Sequence, residues 1–63
     1  MREKLRQLLD HWIEHNREHA EKYKEWAEKV EVSDPEVSEI LKNVVEKMSE
    51  IEELLKSAMK RLQ

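Results

Sequence analysis

The sequence predicts an all-α fold, a two-helix antiparallel hairpin dimerising into a four-helix bundle. Three observations predict it. Apolar residues recur at alternating spacings of three and four along almost the whole 63-residue chain, the period of a helix that buries one face. The only punctuation is Val32-Ser33-Asp34-Pro35, because glycine is absent and Pro35 is the single proline. The apolar arc on each helix is also wider than one helix–helix contact can cover.

The first helix is expected over 2–31, the turn over 32–34 and the second helix over 35–62, all within one domain spanning 1–63. Pro35 suits a first helical position, where its missing N–H needs no partner. Asp34 before it is the natural N-cap, and Glu36 and Glu39 follow where the helix dipole favours negative charge. Nothing interrupts helix formation before the turn.

The first helix carries the series Leu9, Ile13, Asn16, Ala20, Tyr23, Ala27 and Val30, flanked by Leu5, Leu8, Trp12, His15, His19 and Trp26. The second carries Val37, Leu41, Val44, Met48, Ile51, Leu55, Ala58 and Leu62, an unbroken heptad pattern, widened by Ile40, Val45, Leu54 and Met59. Pairing the helices once leaves an apolar stripe on each in water. Two hairpins packed face to face cover both stripes with helices crossing at about 20°. The expected partner is therefore a second copy of the chain, in a homodimer or a higher oligomer.

Composition narrows the function. A chain of this length buries only about 60% of its unfolded surface and needs a staple or a partner. There are no cysteines, which excludes disulfides and thiolate metal sites. That leaves self-association, or a metal held by nitrogen and oxygen. Charged residues make up 43% of the chain with signs interleaved to a net −3; without a basic patch, nucleic acid is not expected as a partner. No apolar run approaches the roughly 20 residues of a membrane span, and the start Met-Arg-Glu-Lys lacks a signal peptide's apolar stretch. A cytoplasmic setting is the expectation.

All three histidines, His11, His15 and His19, fall four residues apart. That spacing stacks side chains on one helix face and can bring two imidazoles to one metal ion. The first-to-third rise of about 12 Å prevents all three from sharing an ion easily. His15 with His19 is the preferred pair, since His19 falls inside the apolar arc and His15 at its edge; His11 with His15 is the more exposed option. Further ligands are sought among Glu14, Glu18 and above all Glu52, the one acid of the second helix on its apolar side, which could instead orient an imidazole from outside the coordination shell. Asn16 stands where an apolar residue is expected and is read as a register-fixing polar core residue. Trp12 and Trp26 are read as packing anchors, Met48 and Met59 as gap-fillers.

The run from His11-Trp12 through His15-Asn16 and His19-Ala20 to Tyr23 and Trp26-Ala27 resembles a small helical-hairpin domain of unknown function from archaea and some bacteria, with the pattern H-W-x-x-H-N-x-x-H-A-x-x-[FY]-x-x-W-A. The resemblance covers the first helix; the second matches only as a generic amphipathic segment, and the Val-Ser-Asp-Pro turn departs from the expected Gly-Leu type. By that resemblance His11, His15, Asn16 and His19 are the marked positions. Such domains are sometimes appended to nickel-binding accessory proteins of carbon monoxide dehydrogenase, which implies a metalloenzyme-maturation partner.

The expected function is thus a self-associating helical module that binds a divalent metal ion (nickel, zinc or cobalt) through the His-x3-His-x3-His ladder. The alternative is a purely structural homodimerisation module, or an engineered four-helix bundle, without a metal. An enzyme is not expected: the Glu-x-x-His pattern of di-iron bundles is missing at all three histidines, and no nucleophile set is present.

Overall fold

The computed structural model describes residues 1–63 as two helices, α1 (Arg2–Val30) and α2 (Pro35–Leu62), with the turn at 31–34. The chain forms a rod with extents of 48 × 14 × 11 Å. No helix is long and apolar enough to cross a membrane.

The boundaries follow from local chemistry. Asp34 caps α2, its Oδ1 accepting from the Val37 N–H at 3.1 Å, with Pro35 at the first helical position. At the other side of the turn α1 ends one residue earlier than expected. Glu31 keeps helical dihedrals, but its N–H goes to the Glu28 carbonyl at 3.4 Å, the tightened last turn that often closes a helix. The Ala27 carbonyl instead accepts from the Ser38 hydroxyl at 2.7 Å. Ser38 therefore closes α1 from the first turn of α2, and both it and Ala27 are fully buried.

The seam of α1 is the expected one: Leu9, Ile13, Asn16, Ala20, Ala27 and Val30 all turn inward, and Tyr23 is slightly more exposed. The seam of α2 differs. Leu41, Met48, Leu55 and Leu62 face α1 as expected, but the alternate positions are Ser38, Val45, Glu52 and Met59. Val37, Ile51 and Ala58 lie outside, on the exposed side of the hairpin. The apolar arc of α2 is wide enough to hold two overlapping heptads. The one that meets α1 includes a serine and a glutamate, each satisfied by a polar partner on α1.

Two helices touching once enclose little. Only Leu9, Ala27 and Ser38 are fully buried, so the hairpin has a seam and no enclosed core.

Candidate metal centre and docking face

With the seam fixed as positions a and d of a heptad, the remaining residues sort into two faces. In antiparallel helices, equivalent flanking positions lie on the same side of the pair. On the e side, Lys42 of α2 bonds Glu31 at 2.9 Å, and Arg17 of α1 reaches Glu52. That side is polar throughout and mostly charged. On the opposite side, positions g and c carry Leu5, Leu8, Trp12, His15, His19 and Trp26 from α1. From α2 they carry Val37, Ile40, Val44, Ile51 and Leu54. Ile40 is 61% exposed, Leu54 70% and Trp26 54%. The whole hairpin is thus amphipathic, with an apolar face that runs about 32 Å along a rod 48 Å long. The charges at these positions are Lys22, Lys29, Lys47 and Arg61, with Lys47 turned toward Glu50 at 3.4 Å. Lys29 Nζ sits 4.5 Å from the Trp26 ring and covers one side of the indole, a modest cation–π contact at an exposed site.

The histidines form a column of rings, His15 and His19 on this face and His11 at position f on the outer side of α1. His11 and His15 have centroids 5.1 Å apart and lie near parallel, at 23°. His15 and His19 are 4.9 Å apart and nearly perpendicular, at 83°. Tyr23 continues the column at 6.3 Å from His19. Two imidazoles bound tetrahedrally to one ion through bonds of about 2.1 Å have ring centres roughly 5 Å apart. The His15–His19 pair matches that separation, with its rings crossed. All three rings are exposed in the single hairpin, including His19, which the helical wheel placed inside the apolar arc. The arc does contain His19, but on the half that α2 leaves uncovered.

Glu52 has other partners. It lies at the seam, its side chain 19% exposed. It accepts from Arg17 through both carboxylate oxygens, at 3.2 and 3.1 Å, and pairs with Lys56 at 3.1 Å. The Arg17 hydrogen bonds, then that from Lys56, hold its carboxyl down at about 2. This cluster belongs to the charged face, away from the histidines. Glu14 points to the charged face as well, while Glu18 borders an open concavity beside His15 and His19 together with Glu21 and Lys22. Within one chain, no three His, Asp or Glu side chains come together in metal-binding geometry. The structure joins His15 to His19, stacks His11 on the outer side of His15, and separates Glu52 from all three.

Asn16 lies beneath this column on the seam and donates from Nδ2 to the Met48 carbonyl at 2.9 Å. Ser38 and Arg17 are the residues that sequence reasoning missed. Ser38 could have been found by testing every heptad frame of α2, including those with polar members. Arg17 follows once Glu52 is seen to need a cation.

Residues 5–62 match the model of a family described as a domain of unknown function, DUF8180. The chain belongs to this family. An uncharacterized protein of Archaeoglobus fulgidus is 49% identical over 57 residues, covering 90% of this chain and 92% of the relative. No solved structure matches. For the DUF8180 family, then, this hairpin supplies a geometry: a polar seam, one charged face, and one apolar face carrying the histidine column.

Proposed function

We propose that this DUF8180 chain is a self-associating helical module whose apolar face docks on a second copy and whose His15–His19 pair binds a divalent metal ion. Its work is binding and assembly rather than catalysis. The observation that carries this reading is that the exposed apolar residues of both helices, and the His15–His19 pair with ring centroids 4.9 Å apart, fall on one face of the hairpin while every interhelical ion pair falls on the other. The apolar side chains run from Leu5 to Trp26, about 32 Å of helix, across a rod 14 Å wide, and offer about 450 Å² per partner, the size of the smaller specific interfaces. Imidazole nitrogen suits nickel, zinc and cobalt alike; nickel, and delivery to a metalloenzyme-maturation partner, are what the sequence resemblance favours.

The test is sedimentation equilibrium of the full chain across a range of concentrations. The expected result is a dimer that dissociates when Ile40→Glu and Leu54→Glu are introduced together, while Glu46→Gln on the charged face leaves assembly unchanged. A wild-type monomer at every concentration overturns the reading.

The purely structural alternative has its own support, since Glu52 is committed to Arg17 and Lys56 and a single chain brings no three potential ligands together. It predicts an unchanged dimer that takes up no ion.

A further inference from the structure

His15 and His19 flank Arg17, near the middle of α1 (Arg2–Val30). The middle is the one level of a rod that meets itself when two rods lie together end for end. From this we infer that two copies, docked with their turns at opposite ends, share one divalent transition-metal ion held by four imidazoles, those of His15 and His19 from each copy. The inference rests on the docking face proposed above.

The heptad arithmetic supports this arrangement. Where antiparallel helices meet, a residue of one stripe position faces the other position across the contact, as a faces d in an antiparallel coiled coil. With the two-fold axis at the level of Arg17, His15 of each copy faces His19 of the other. The same axis sets Leu8 against Trp26, and Trp12 against the ammonium of Lys22, a cation–π pairing. On α2 an axis at Ser49 sets Val44 against Leu54. The Asn16–Met48 hydrogen bond places these two axis levels within one helical turn of each other, so a single axis serves both helices.

The alternative docking, with both turns at one end, lays α1 on α2 of the second copy. The two histidine pairs then no longer face each other across the contact line. The ligand count favours the first arrangement as well. One pair at 4.9 Å and 83° fills half of a tetrahedral shell, Glu52 is held by Arg17 and Lys56 on the charged face, and Glu18 and Glu21, which border the pair, do not close on it as a third ligand within one chain. A second copy of the same pair completes the shell with neutral imidazoles alone.

The experiment combines three readings on the full chain. Native mass spectrometry with added zinc should show a dimer carrying one ion, so one ion per two chains. Cobalt in place of zinc should give the intense visible absorption of a four-coordinate ion, lost in the His15→Ala, His19→Ala variant and kept in Glu46→Gln on the charged face. Because the chain has no cysteine, Ser33→Cys accepts one spin label per copy at the turn; docking end for end should separate the two labels by about 40 Å, the length of a helix. A dimer that binds no ion, one ion per chain, or labels close together overturns the shared site and leaves self-association standing. A monomer with and without zinc overturns both.

Discussion

The Asn16 side-chain amide donates to the main-chain carbonyl of Met48 across 2.9 Å, linking residues 32 apart in sequence near the midpoints of the two helices. A main-chain acceptor inside a helix already receives its own helical N–H, so the carbonyl does not depend on Asn16, while Asn16 depends on it. This predicts an asymmetry. Asn16→Ala should lower stability by about 1 kcal/mol. Asn16→Leu should match or exceed the parent, because it replaces a polar group by an apolar one that leaves nothing buried unpaired. The loss in the leucine variant should be of uniqueness, read as mixed oligomers in native mass spectrometry, as polar core residues fix register in coiled coils. Thermal melts at one fixed chain concentration check the stabilities.

At the turn, Ser38 matters more than Asp34. Asp34→Ala removes an exposed cap and should cost about 1 kcal/mol. Ser38→Ala strips the hydroxyl donor from the buried Ala27 carbonyl and should cost about 1–3 kcal/mol, the penalty of a buried polar group left without its partner. Melting midpoints of the two variants, measured side by side, should rank in that order; the reverse ranking would remove Ser38 from its capping role.

The Glu52 carboxyl is held at about 2 by hydrogen bonds from Arg17 and Lys56. A carboxylate whose folded value lies below its unfolded one contributes stability above the unfolded value, near 4.3, and loses it as the pH falls toward the folded value. The contribution is therefore complete at neutral pH and disappears between about 4.3 and 2. Glu52→Gln should lower the midpoint at pH 7 and flatten the acid limb in that window. Equal acid limbs for parent and variant would show that the cluster adds nothing to folding.

Trp12 and Trp26 both lie on the proposed docking face and are exposed in the single hairpin. Their fluorescence should shift to shorter wavelength as chain concentration rises through the association range, and back on dilution. In the Ile40→Glu, Leu54→Glu chain the emission should stay at long wavelength throughout. A parent emission that ignores concentration, with both indoles wet, would argue against docking through this face.

Much of the fold was legible in the sequence because it is written in strong local signals. Asp34-Pro35 specifies where α2 begins, and the Leu9-to-Val30 series specifies which side of α1 turns inward. The α2 frame was harder to read for a physical reason. Hydrophobicity marks the whole apolar arc, including the part that α2 turns away from α1. It ranks Val37 and Ile51 above Ser38 and Glu52, although Ser38 and Glu52 are the residues with partners on α1. The site divided the same way. Spacing alone brought His15 and His19 together, whereas the partners of Glu52 depend on the angle at which two helices meet, which no one-dimensional pattern contains.

The short turn also orders events in time. Ser38 and Ala27 are 11 residues apart, Asn16 and Met48 32, and Arg17 and Glu52 35, so the interhelical bonds nearest the turn close the shortest loops. Loop closure grows costlier with length, and chains dominated by local contacts fold in microseconds to milliseconds. The hairpin should therefore zip from the turn toward its free ends. Amide protons around Ala27 and Ser38 should exchange slowest and those of the first and last turns fastest, a gradient of protection running the length of the rod.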